Sequence, residues 1–133
     1  MLEFTSNADL VVGSRYIDGG GFGNYPFHRI LLSTFTNSIF RILLGIKTKD
    51  STQSFMLMSK KIFKIISPKI LTAEGFAIFL EIKFHVQRVG LKILEIPIKI
   101  KDRDLGETKM NFLQAISVLK LFYDLKIKKK YKI

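Results

Sequence analysis

Apolar residues recur along the chain with two different periods, and each change of period marks a new element. Ala8-Asp9-Leu10-Val11-Val12 is a short β-rich run that ends in Gly13, the pattern of a buried strand feeding a loop. From His28 to Leu44 the period lengthens. Ile30, Leu31, Phe35, Ile39, Ile42 and Leu43 fall at near-helical spacing, and Gly45 stands where a helix C′ residue belongs. Thr52 to Met58 reads as a second strand, and Ser59 as the N-cap of a short helix that stops before Pro68. Gly75 to Val89 carries Phe76, Phe79, Leu80 and Phe84 and closes on Gly90, which predicts another substantial helix. Leu91 to Ile100 alternates: Leu91, Ile93 and Glu95 face one way and Lys92, Leu94 and Ile96 the other, until Pro97 confines the end to an edge or bulge. After the polar stretch Lys101 to Lys109, Asn111 can cap a last helix with Phe112, Leu113, Ile116, Leu119, Leu121 and Phe122. The order β-loop-α-β-α-α-β-loop-α describes a mixed α/β unit rather than a bundle.

Three strands make a thin sheet. Only eight residues precede Asp9, so the chain is expected to offer the opening strand none of its usual parallel neighbours. The pattern therefore reads as the second half of a larger α/β domain, with residues 1–110 forming part of that domain and 111–133 an amphipathic helix with a basic tail. The 133 residues bound the chain to one domain, and 47% hydrophobic residues with twelve Phe supply enough apolar surface for a core.

Charge changes the picture at one end. The net charge is +11, and the last 33 residues carry nine Lys and Arg against four Asp and Glu, ending in Lys126, Lys128, Lys129, Lys130 and Lys132. Such a tail suits a polyanion, either an anionic membrane surface or nucleic acid, unless it is simply solvated. Charge alone favours nucleic acid; no nucleic-acid motif or interleaving of aromatic and basic residues joins it. No stretch approaches the roughly 18 uninterrupted apolar residues of a membrane span. The N-terminus has Glu3 and Asp9 where a secretion signal would be basic and then apolar. The expected location is cytoplasmic, peripheral on a membrane face. There are no cysteines, and the two histidines, His28 and His85, are too few for a metal cluster.

Phosphate chemistry needs fixed cations, and arginine suits it because its planar fork donates two parallel hydrogen bonds. Arg15 ends the first strand, Arg29 opens the helix after the glycine-rich loop, and Arg103 lies in a loop between Asp102 and Asp104. Ser33, one turn beyond Arg29, shares its face. Any one of these arginines taken alone is more often an ordinary surface residue. The loop Gly19-Gly20-Gly21-Phe22-Gly23-Asn24-Tyr25-Pro26 excludes regular structure and implies mobility; it fits no dinucleotide-binding register.

Several of these pieces are ordered as in one enzyme family. Val12-Gly13-Ser14-Arg15-Tyr16 followed by Gly19-Gly20-Gly21 resembles a GSRY…GG stretch. Asp50-Ser51-Thr52 with Ser54-Phe55 is similar to D-x-T-S/N-G-F, and Gly75-Phe76 with Glu81 to a GY…E helix. Glu95-Ile96-Pro97-Ile98 and then Arg103 to Met110 resemble an E-V/I-P-I…R-x-x-G-x-S-K-M ending. Across residues 9–110 the order and spacing resemble the C-terminal, acceptor-side half of family-2 glycosyltransferases of the polyprenyl-phosphate (dolichol-phosphate) mannosyltransferase type. The resemblance implies a partial GT-A, Rossmann-like fold.

It also implies inverting transfer of a sugar from a nucleotide sugar, commonly GDP-mannose, to a polyprenyl or dolichyl phosphate. By the same resemblance, Arg15, Arg29, Ser33, Arg103 and Lys109 would bind the acceptor phosphate. Gly19, Gly20 and Gly21 would form the acceptor loop, and Asp50 and Glu81 would orient site residues. The family's nucleotide strands and DxD metal motif precede the GSRY segment, so Mg2+ or Mn2+ is expected only with a separate N-terminal half, and none on this chain. Asp102-Arg103-Asp104 spells DxD but falls after the last strand. Gln53, Met56 and Glu74 depart from the family pattern. The alternative is a non-catalytic remnant that binds a membrane or a partner subunit.

Overall fold

The structure, a computed structural model, describes residues 7–66, 71–100 and 112–127, the side chains of 112–115 excepted. Strand β1 (Leu10–Ser14) is buried along its whole length. It lies between β2 (Met56–Met58), which pairs with it antiparallel, and β3 (Ile93–Pro97), which runs parallel to it with Val12 opposite Glu95. The expectation that β1 lacks a parallel neighbour in this chain is thus corrected. A helical crossover brings β3 back beside β1, although β3 lies more than eighty residues downstream.

Leu10 and Val12 share one face of β1 by the two-residue alternation of a strand. They pack with Ile62 of α2 (Lys60–Ile65) and with Ile82 and Val86 of α3 (Ala77–Arg88); Leu91 and Ile93 close the same cluster. The other side of α3 carries Ala77, Leu80 and Phe84 against Phe40 and Leu44 of α1 (Phe27–Leu44) and Val118 and Leu121 of α4 (Phe112–Phe122). A π-helical turn, Tyr123–Ile127, continues α4 and adds Leu125 to this second cluster. Helix α3 is consequently covered on both sides, and α4 belongs to the same core as α1.

Boundaries follow local chemistry. Helix α1 ends where Gly45 takes the left-handed conformation at φ +66° and returns its N–H to the last turn. Ser59 occupies the N-cap position of α2, but its hydroxyl makes no capping bond. The second strand is shorter than its pattern predicts. Arg15 and Lys83 hold Thr52 and Gln53, the N–H groups of Ser54 and Phe55 turn to the Gln53 side chain, and only Met56–Met58 remain as strand. Asn111, Arg103, Lys109 and the tail beyond Ile127 lie outside the described residues.

The glycine-rich loop makes backbone contacts with the chain beyond β3. Gly21 donates to the Ile98 carbonyl at 3.0 Å and accepts from Ile100 N–H at 3.2 Å. A Cβ on Gly20 would strike the Ser14 carbonyl, and one on Gly23 the Ile100 carbonyl. These glycines permit close approach of backbone to backbone, and the close approach fastens the loop to the chain beyond β3.

Candidate functional site

The site grows from the end of β1, where the buried strand delivers Arg15 and Tyr16 to the surface. Arg15 does not project freely. Its Nε donates to Asp50 Oδ2 and its Nη2 to Asp50 Oδ1, both at 2.8 Å, and Nη2 also reaches Thr52 Oγ1 at 2.8 Å. The Arg15 backbone N–H donates to Asp50 Oδ2 as well. The guanidinium lies over the rings of Tyr16 and Phe22, at 5.4 and 5.1 Å, a cation–π arrangement on the glycine-rich loop. Burial alone would lower the Arg15 pKa. The hydrogen bonds and charge of Asp50, with Tyr16 and Tyr25, outweigh it and hold the pKa above its ordinary value.

Asp50 is fully buried, and a network that sequence reasoning missed holds its loop. Glu95 on β3 accepts from the N–H groups of Lys49 and Asp50, at 2.8 and 3.0 Å. Asn37 of α1 accepts from Ser51 N–H and hydroxyl, at 2.9 and 2.6 Å, and donates to the Lys49 carbonyl at 2.7 Å. Lys83 of α3 donates to the carbonyls of Ser51 and Gln53, at 2.7 and 2.6 Å. The sequence offered a weak signal at most: Asn37 stands among Thr36 and Ser38, and Lys83 between Glu81 and His85 at every second position of α3.

Tyr16 and Ser33 join their hydroxyls at 3.1 Å, which turns the Ser33 face of α1 toward the end of β1. Arg29 lies one turn earlier on that face and is exposed, with no ion pair or hydrogen bond from its side chain among the described residues. The structure therefore links Arg15, Tyr16, Ser33 and Asp50 and leaves Arg29 open beside them.

Glu81 does other work. Its carboxylate takes the N–H groups of Thr72 and Ala73, at 3.0 and 2.9 Å, and lies 3.7 Å from His85 Nε2. Burial would raise its pKa; His85 and the two backbone donors overcome that and lower it. Glu81 thus orients the segment entering α3. His85 is fully buried because α3 is covered on both sides.

The apolar faces also resolve. Ile39 and Phe122 pack against the core, whereas Phe27, Leu31, Leu32, Phe35 and Ile42 of α1 are exposed, Phe27 and Ile42 by 78% and 80%. Along α4 and its π-turn, Ile116, Leu119, Tyr123 and Ile127 form a second exposed stripe. No described helix is long and apolar enough to cross a membrane. No group of three or more His, Cys, Asp or Glu among the described residues could hold a metal ion.

Comparison with known proteins finds relatives in sequence. The chain is 30% identical over 106 residues to the polyprenol monophosphomannose synthase of Mycolicibacterium smegmatis, an alignment covering 80% of this chain and 40% of that protein. It is 32% identical over 111 residues to the undecaprenyl-phosphate mannosyltransferase of Micrococcus luteus, covering 84% and 46%. The chain is similar to polyprenyl-phosphate mannosyltransferases. It spans less than half the length of these mannosyltransferases. No family model matches it.

Proposed function

We propose that this chain acts in transfer of a mannosyl residue from a nucleotide sugar, GDP-mannose being the expected donor, to a polyprenyl phosphate. In this reading it supplies the acceptor-phosphate and membrane-facing part of a GT-A enzyme. The observation that carries the reading is Arg29: an open guanidinium beside the Tyr16–Ser33 pair, in the same two helical turns as exposed Phe27, Leu31 and Leu32. A lipid phosphate presents that combination, an anionic head on an apolar tail.

A lipid phosphate is already an anionic nucleophile, so the reaction asks for placement more than for a base. Its oxygen bonds to the anomeric carbon as the bond to the nucleotide diphosphate breaks, and the electron pair leaves with the diphosphate. Arg29 would hold the phosphate, and Ser33 or Tyr16 would donate one further hydrogen bond. Arg15, committed to Asp50, contributes field and shape; Arg103 and Lys109 are proposed to approach from the segment after β3. A divalent metal, Mg2+ or Mn2+, would neutralise the departing diphosphate from the complementary portion of the enzyme. The exposed stripes of α1 and α4, with the basic residues after Leu125, would rest on the cytoplasmic face of an anionic membrane.

The test is a transfer assay with labelled GDP-mannose and a polyprenyl phosphate, with the chain co-expressed with the complementary portion of a matching mannosyltransferase. Labelled lipid should form only when both are present, and less with Arg29→Gln. No product from two folded partners would reject the catalytic reading in favour of a binding module.

A further inference from the structure

Lysine 83 is an anomaly of composition that the fold turns to use. It lies in the covered part of α3 between Ile82 and Phe84, and its side chain is fully buried. An ammonium group removed from water costs several kcal/mol unless hydrogen bonds and opposite charge replace the solvent. Here its Nζ meets the Ser51 and Gln53 carbonyls, at 2.7 and 2.6 Å, with the carboxylates of Asp50 and Glu95 in its surroundings.

These bonds complete a division of labour around one loop. Glu95 and Asn37 take its N–H groups, at Lys49, Asp50 and Ser51, while Lys83 takes the carbonyls on either side of Thr52. Asp50 and Thr52 are the two side chains that hold the Arg15 fork. Without Lys83, two inward carbonyls would be left unpaired and Thr52 would lose its fixed position.

We propose that Lys83 is a positioning residue for the acceptor site, the buried cation that sets the 50–53 loop and through it the orientation of Arg15. The proposal rests on the acceptor-phosphate reading of that site. The groups facing Lys83 are Asp50 from the loop, Glu95 from β3 and Arg15 from the end of β1. Burial lowers its pKa to about 7, against the two carboxylates and with the help of Arg15. An uncharged amine still has two N–H groups for the two carbonyls, so near neutrality Lys83 changes its charge while keeping its hydrogen bonds. Arg15 should sense that change.

The experiment follows the Arg15 Nε–H resonance of the full chain by 15N NMR, without ligand, from pH 6 to pH 8, in wild type and Lys83→Met. Wild type should show a shift with a midpoint near 7. Lys83→Met should show none, and its Nε–H should exchange with water about tenfold faster or more. An unchanged Nε–H resonance and exchange rate in a folded Lys83→Met, or a shift that persists there and so belongs to another group, would overturn the proposal. Should Lys83→Met not fold, the wild-type titration decides, a flat resonance counting against. Titration of both proteins with a short-chain polyprenyl phosphate separates the two ideas. Binding to neither protein, with the Arg15 effect present, rejects the acceptor reading alone; binding to wild type with Arg15 indifferent to residue 83 rejects the positioning role alone.

Discussion

Arg15 and Asp50, thirty-five residues apart in sequence, meet as a two-pronged ion pair with both contacts at 2.8 Å. The pair is sheltered: the Asp50 side chain is fully buried and that of Arg15 is 12% exposed. Removing one partner of such a pair leaves an uncompensated charge. Asp50→Ala should therefore destabilise the fold by about 3 kcal/mol. Asp50→Asn, which keeps one acceptor oxygen, should cost less. Urea unfolding gives both values. Lys61→Met, which removes the exposed partner in the 3.7 Å pair with Asp9, serves as the contrast and should change stability by less than about 0.5 kcal/mol.

Asn37 should behave as a second support of the same loop. Its amide satisfies Ser51 N–H, the Ser51 hydroxyl and the Lys49 carbonyl in a buried setting. Asn37→Ala strands those groups at a cost of about 2 kcal/mol or more, whereas Thr34→Ala, which removes an exposed bond to the Ile30 carbonyl, should be nearly neutral. Equal thermal shifts for the two variants would contradict the network.

The folded state holds the Glu81 pKa below its ordinary value, so Glu81 binds a proton less readily folded than unfolded. Its stabilisation is complete above the usual carboxylate pKa and is lost as pH falls through the depressed value. Wild type should lose urea resistance on acidification below about pH 5. Glu81→Gln, lacking the titrating group, should start less stable and follow a flatter pH profile. Parallel profiles would remove Glu81 from the acid response.

Membrane contact has a signature of its own. Phe35→Glu with Ile42→Glu alters only exposed positions, so it should leave stability within about 0.5 kcal/mol. It should weaken co-sedimentation with anionic vesicles at both low and high salt. Deleting the residues after Ile127 should weaken it mainly at low salt, because an added lysine charge near such a surface contributes about 1 kcal/mol and is screened. Binding indifferent to both changes would mean that the exposed stripes meet something other than lipid.

Periodicity made much of this fold legible. The 3.6-residue spacing and Gly45 placed α1 within a residue of its observed start, and the alternation of Leu91 to Pro97 put Ile93 and Glu95 on one side of β3. Both remain there, Ile93 in the core and Glu95 beneath the 49–50 backbone. What escaped was long-range pairing. The Arg15 ion pair was not legible because nothing local reveals that Asp50 will face it. Lys83 and Asn37 passed unnoticed because each is one of several polar residues in its helix and gains its meaning from the loop that folds against it. The close backbone contacts of the glycine-rich loop were hidden for a related reason, since they depend on Ser14 and Ile100, which only the fold brings near.

The central claim is that the open cation beside Tyr16 and Ser33 recognises a lipid phosphate. It is tested most directly by titrating the full chain with a short-chain polyprenyl phosphate and with the matching polyprenol alcohol, in neutral micelles at fixed salt. The account predicts binding that depends on the phosphate and falls about tenfold or more in Arg29→Gln, the loss of one charge-assisted contact. Arg88→Gln, on the exposed end of α3, should bind as wild type does. Equal affinity for phosphate and alcohol, or an Arg29→Gln variant that binds as tightly as wild type, would contradict it.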